Sequence, residues 1–113
     1  MSPLTRTEQL IVDTIRQHRR AAPIIGRDII ARFNLEPTEA KRKGAKLRAY
    51  INEIRAKGYP ICASGDGYFW PSNGQDILDQ VESLEGRASL IIRAADGMRA
   101  GMRIFQDGVA AEK

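Results

Sequence analysis

The stretch EPTEAKRKGAKLRAYINEIRAKGYPICASGDGYFWP, residues 36–71, leaves the chain few folds to choose from. Leu47, Ile51 and Ile54 recur at i, i+4 and i+7, which places them on one side of a helix of period 3.6. Gly58 suits the left-handed position that closes a helix. Pro60 forbids continuation. In PICAS and GYFWP the residues are apolar, small or aromatic, and the intervening SGDG offers the positive φ values that a tight hairpin turn requires. The stretch therefore predicts a helix that runs into a two-stranded hairpin and stops at Pro71. The side of the helix opposite its apolar residues carries Arg42, Lys46, Ala49 and Asn52, flanked by Lys41 and Arg48. Such a cationic face, with a small residue and an amide at its centre, suits a DNA groove.

Charge supports that partner. The chain carries a net +4, but residues 1–71 hold 13 Lys and Arg against 7 Asp and Glu, whereas residues 72–113 hold 5 against 7. The positive charge belongs to one half, which favours a polyanion for that half and another task for the second. At 113 residues and 42% apolar content, the chain suits one compact domain with an appendage. No run approaches the roughly 18 apolar residues of a membrane span, and MSPLTRTEQL lacks the apolar core of a signal peptide. A cytoplasmic protein without membrane contact is expected. Cys62, the single cysteine, falls in a predicted strand and reads as a packing residue rather than a reactive thiol.

In chain order, Thr5 and Glu8 form a predicted capping box for a first helix over residues 6–19. Leu4, Ile11, Val12 and Ile15 form its buried stripe, with Leu10 at the margin. His18 is the chain's one histidine, so a metal site or catalytic base there lacks partners. Ala22 to Gly26, with β-branched residues beside a proline and a glycine, reads as a short edge strand that can complete a three-stranded sheet with the hairpin. A second helix over residues 27–33 turns Ile29, Ile30 and Phe33 inward. Asn34 then ends it in the left-handed conformation, and Leu35 plugs the corner before the third helix.

The order of helix, Pro-Ile-Ile-Gly strand, RDIIARFNL, basic helix, KGYPI and GDGYFWP resembles a winged helix-turn-helix, close to the DNA-binding domain of the biotin-operon-repressor kind. More narrowly, the chain resembles small winged-helix proteins of bacteriophages and prophages, in which a GYPI and GYFW hairpin precedes a helix containing LEGRA, here Leu84 to Ala88. The resemblance covers roughly residues 5–103. It implies DNA binding, with the third helix in the major groove and the wing on the adjacent backbone, and no particular operator.

One segment departs from that pattern. Leu35 and Leu47 are separated by EPTEAKRKGAK, longer than the usual turn. The favoured arrangement is one helix beginning near Pro37, which suits a first helical turn; the alternative is that Gly44 divides the stretch into a basic loop and a shorter helix. The candidate DNA-binding residues are therefore a face: Lys41, Arg42, Lys43, Lys46, Arg48 and Asn52, with Ser64 at the wing. Five cations within eight residues, with no acid among them, repel one another unless a counter-charge is supplied. Asp66 makes the wing tip a minor contact with phosphate. Tyr68, Phe69 and Trp70 read as core packing in preference to base stacking.

The last third predicts one long helix from a Ser72–Gln75 cap. Ile77, Val81, Leu84, Ala88, Ile91, Ala95, Met98, Met102 and Phe105 alternate in steps of four and three, the seam of a coiled coil or of a helix docked lengthwise on a partner. Leu78, Leu90 and Ile92 widen the stripe. Leu84, Ala88, Ile91, Ala95, Met98, Met102 and Phe105 are the candidate dimerisation residues; the alternative is a helix folded back on its own domain. Gly97 and Gly101, four residues apart, permit close helix approach at a cost of roughly 1 kcal/mol each.

The expected class is mainly α with a small antiparallel sheet: a winged domain over residues 1–71, a long helix over 72–105 and a frayed tail over 106–113. No Gly-rich phosphate loop and no cluster at metal-ligand spacing occurs, so neither an enzyme nor a cofactor is expected. The expected function is sequence-specific binding of double-stranded DNA by a homodimeric transcriptional regulator of phage or prophage type in the bacterial host cytoplasm. The alternative is a protein-interaction module that keeps the fold as a scaffold for a host or phage protein.

Overall fold

Thr5 and Glu8 make the expected capping box: the Glu8 amide donates to Thr5 Oγ1 at 3.2 Å and the Thr5 amide donates to Glu8 Oε1 at 2.8 Å. From that start the computed structural model, which describes residues 2–35 and 44–106, runs through α1 (Arg6–Ile15), α2 (Gly26–Phe33), α3 (Ala45–Ala56), β1 (Cys62–Ser64), β2 (Gly67–Phe69), α4 (Gly74–Gly101) and α5 (Arg103–Gln106). The class is the expected one, mainly helical with a small antiparallel hairpin and a long C-terminal helix.

The apolar residues of the first three helices converge. Ile11, Val12, Ile15, Ile29, Leu35, Leu47, Ile51 and Ile54 are buried together with Ile24 and Ile61, and Leu4, Ile30, Phe33, Tyr50 and Trp70 pack around them. Phe69 is also buried, as is Cys62, in keeping with a packing role. Leu10, the marginal residue, is exposed.

α1 is shorter than expected and ends at Ile15 rather than Arg19. After it the Gln17 and His18 amides donate to the carbonyls of Thr14 and Ile15, three residues back, so the chain tightens out of the α-helix. Arg19 completes the exit, its Nη1 donating to the Arg16 carbonyl at 2.6 Å. The expected edge strand is reduced to one residue. Ile24 exchanges two 2.8 Å backbone hydrogen bonds with Tyr68, an isolated antiparallel bridge beside the two-stranded sheet. The next ladder pair, Ala22 with Trp70, does not form, because the Ala22 amide donates to the Arg19 carbonyl and the Trp70 amide to the His18 carbonyl.

α2 ends as its sequence dictates. Asn34 takes the left-handed conformation at φ 54°, and Leu35 behind it is buried. α3 does not. Gly44 lies at φ 78° and stands as its N-cap, so a helix running unbroken from Pro37 to Ala56 is excluded at that residue. The left-handed backbone of Gly44 cannot be part of a right-handed helix. Residues 36–43, including Pro37 and the expected contacts Lys41, Arg42 and Lys43, lie outside the described residues. At the other end Gly58, at φ 103°, closes α3, with the Tyr59 amide donating to the Ile54 carbonyl.

The hairpin registers Cys62 with Phe69, Ala63 with Tyr68 and Ser64 with Gly67. Of its two glycines, Gly67 takes the positive φ, at 141°. A second constraint acts there: a Cβ on Gly67 would fall 2.3 Å from the Ile24 carbonyl oxygen.

The chain divides into two compact units, Met1–Leu78 and Asp79–Lys113, so the first extends past Pro71 into α4. Asp76 accounts for the shift. Its carboxylate accepts from Arg20 Nη2 at 3.0 Å and from the Ser72 amide at 2.9 Å, while its carbonyl lies 3.6 Å from Cys62 Sγ. The helix cap is Asn73, whose Oδ1 accepts the Asp76 amide at 3.0 Å, not the expected Ser72 with Gln75. Gly74 and Gln75 fall between those partners, which is the spacing that lets a cap side chain reach the third amide of the helix. α4 then runs to Gly101; Met102 is a turn, so the expected single helix to Phe105 is broken there. The tail from 107 to 113 lies outside the described residues. Among the described residues, no helix is long and apolar enough to cross a membrane.

Candidate nucleic-acid interface

α3 turns one side entirely into the core. Leu47, Ile51 and Ile54 are buried, while Ala45, Lys46, Arg48, Ala49, Asn52, Glu53 and Ala56 are exposed. At about 100° per residue, Ala45, Ala49, Asn52 and Ala56 fall along the middle of the exposed side. Lys46 and Arg48 then flank that line by roughly 80° on either side. The result is a ridge of small side chains and one amide between two cations. Small residues let the helix backbone approach a surface closely, and flanking cations reach outward to charges on either side of it.

The order differs from the expected one in two ways. Ala45 and Ala56 join Ala49 and Asn52 at the centre, and Lys46, expected on the face itself, lies on a flank with Arg48 opposite. Glu53, an acid that the sequence reading left out, is exposed seven residues along the helix from Lys46, on the same flank. Glu53 and Lys46 line a shallow depression with Ala49, Tyr50 and Glu8. Of the expected residues, then, the structure brings Lys46, Arg48 and Asn52 together on one helix. Ser64 is exposed at the hairpin, where its Oγ accepts the Asp66 amide at 3.2 Å.

Much of the positive charge outside α3 has protein partners. Arg16 lies over the Trp70 ring at 5.1 Å and Arg20 over Phe69 at 4.9 Å, so two cations of the α1–α2 connection rest on the hairpin aromatics. Arg20 also pairs with Asp76, and Lys57 with Glu8. These contacts hold Tyr68, Phe69 and Trp70 as structural residues. Phe69 is fully buried, and Trp70 is covered on one side and donates its backbone amide to the His18 carbonyl at 2.8 Å. His18 Nδ1 lies 3.1 Å from the Ala22 carbonyl, a turn contact.

Arg27 was not among the expected residues. It is exposed at the second position of α2, beside Gly26, where a Cβ would stand 3.4 Å from both Leu47 and Tyr68. The start of α2 thus abuts α3 and the hairpin, and its arginine belongs with the α3 cations as a candidate contact. A signal was present, since a glycine wedged where helix, helix and strand converge marks close approach. Compared with family models, curated proteins and solved structures, the chain matches none.

A second surface lies on α4, which has no buried residue among those described. The seam residues Ile91, Met98 and Phe105 are 69%, 79% and 75% exposed, and Leu90 and Ile92 beside them are 65% and 61% exposed. Ala88 and Ala95 are exposed and Leu84 is half-buried. Met102 is exposed in the turn after the helix. So continuous an apolar stripe is one that soluble monomers avoid.

Proposed function

We propose that the chain is a winged-helix protein that binds double-stranded DNA as a homodimer, with α3 in the major groove, acting as a transcriptional regulator of phage or prophage type in a bacterial cytoplasm. The observation that carries this reading is the exposed side of α3. A ridge of Ala45, Ala49 and Ala56 clears a path to the groove floor, Asn52 supplies an amide able to pair with adenine, and Lys46 and Arg48 stand where the phosphates or guanine edges of either wall would come. Arg27 at the start of α2 adds a backbone anchor, as the first helix residues of a helix-turn-helix do. The mechanism needs no chemistry. Two copies joined through α4 present two α3 helices to two half-sites, which raises affinity through effective concentration.

The test is a salt titration of binding to random-sequence duplex. Several phosphate contacts give a steep linear fall of log affinity with log salt. No binding at low salt would exclude the reading. Glu53 beside Lys46 and the half-buried Tyr50 gives α3 a mixed-charge, partly apolar flank, and that observation favours the second reading, an interaction module for a host or phage protein.

A further inference from the structure

Charge along α4 is segregated. Residues 79–89 hold Asp79, Glu82 and Glu85 against Arg87, whereas residues 90–106 hold Arg93, Arg99 and Arg103 against Asp96. Favourable interaction with the helix's own dipole is confined to its terminal turns, and Glu82, Glu85 and Arg93 lie beyond them. With the seam along Val81, Leu84, Ala88, Ile91, Ala95 and Met98, the charged residues that border a partner helix are Glu85, Arg87 and Arg99. A second copy laid parallel in register keeps Glu85 and Arg99 apart, while an antiparallel copy can bring them together.

The seam has the same preference. With Val81, Ala88 and Ala95 at the a positions, Leu84, Ile91 and Met98 take d, and Glu85, Ile92 and Arg99 follow at e. Parallel pairing in register stacks like on like, so Ala88 meets Ala88 and Ala95 meets Ala95, leaving two thin layers alternating with the three thick ones of Leu84, Ile91 and Met98. It also sets Glu85 beside Gln80, Ile92 beside Arg87 and Arg99 beside Ala94, with no opposite-charge pair along the flanks. An antiparallel pair centred on Arg93 brings Ile91 level with Ala95 of the second copy and Ala88 level with its Met98, so large faces small in each central layer. The same register sets Glu85 beside Arg99 of the second copy, twice by symmetry, and turns the exposed Ile92 onto its own counterpart at the dyad.

We infer that α4 is the seam of an antiparallel homodimer centred on Arg93, its orientation selected by Glu85–Arg99 pairs and by large-to-small layers between copies. The inference rests on the dimer part of the proposed function. Arg99 already meets Asp96 of its own helix at 2.8 Å, but both side chains are exposed and such a pair contributes little. The interchain partner adds to it.

Disulfide trapping decides the orientation. Chains carrying Glu85→Cys and Arg99→Cys, co-expressed with different tags and mildly oxidised, should give a mixed-tag disulfide dimer, while Ala88→Cys alone should give none. The wild-type chain, whose Cys62 is buried, is the blank. Sedimentation equilibrium supplies the energetic arm: Glu85→Arg should weaken the dimer about tenfold, and adding Arg99→Glu to the same chain should restore it. A disulfide from Ala88→Cys without the mixed product, or charge effects that do not compensate, overturns the antiparallel orientation and leaves the dimer standing. A wild-type chain monomeric at tens of micromolar overturns both, while DNA binding by α3 is judged separately by the salt titration.

Discussion

Lys57 Nζ lies 2.6 Å from Glu8 Oε1, and the same oxygen accepts the Thr5 amide. One buried carboxylate thus joins the end of α3 to the first turn of α1. The Lys57 hydrogen bond, followed by that of the Thr5 amide, holds the Glu8 carboxyl below the ordinary glutamate range. A group whose folded value is depressed adds stability that is complete above its unfolded pKa, ~4.3 for glutamate, and lost as pH falls through the folded value. Glu8→Gln should therefore cost about 1–3 kcal/mol at neutral pH and flatten the acid side of the stability curve. Urea denaturation at a series of pH values checks this; a mutant curve parallel to the wild type would show that Glu8 is not the titrating group.

Gly67→Ala tests the junction of hairpin and bridge. The new methyl would meet both a positive φ and the Ile24 carbonyl, so the hydrogen bonds between Ile24 and Tyr68 must open. A loss of at least ~2 kcal/mol in denaturation is expected. Gly65→Ala, in open space two residues earlier in the same turn, should be nearly silent.

Lys46→Ala with Arg48→Ala should weaken duplex binding by roughly 1–3 kcal/mol per residue and leave the chain folded in thermal denaturation, since neither side chain is in the core. Glu53→Gln should strengthen binding and steepen its salt dependence through loss of a repulsion. Unchanged affinity in the folded double mutant would take α3 out of the interface.

Ile91→Glu with Met98→Glu should yield a monomer in sedimentation equilibrium, because four new carboxylates would have to be desolvated in the seam. Both residues are exposed in the single chain, so the melting of the first unit should not change. A mutant that remains dimeric would place the contact elsewhere.

The helices and hairpin were legible because each rests on local chemistry. Thr5 and Glu8, Asn34, Gly58 and the Leu47–Ile51–Ile54 spacing all act within a few residues of where they stand. What was not legible was partly a choice between neighbouring local signals, as at Gly44 before α3 and at Asn73 rather than Ser72 before α4, and partly dependent on distant partners. The extension of the first unit through Asp76 needs Arg20, 56 residues away in sequence, and the shrinkage of the edge strand to Ile24 depends on which amides face Tyr68. The candidate interface was legible in part. Lys46, Arg48 and Asn52 followed from periodicity, but counting cations over 41–48 passed over Glu53, and Arg27 becomes relevant only because Gly26 brings α2 against α3.

Gly44 gives α3 a fresh start, and this sets what the chain tolerates upstream. In an unbroken helix every residue inserted or removed rotates all that follows by about 100°, so the exposed ridge would swing round with it. Here the azimuth of the ridge is fixed by Leu47, Ile51 and Ile54 in the core, and a change of length before Gly44 is absorbed without being transmitted. A family of such chains can therefore vary the basic stretch between Leu35 and Gly44, in both length and charge, while the surface that α3 offers stays in register.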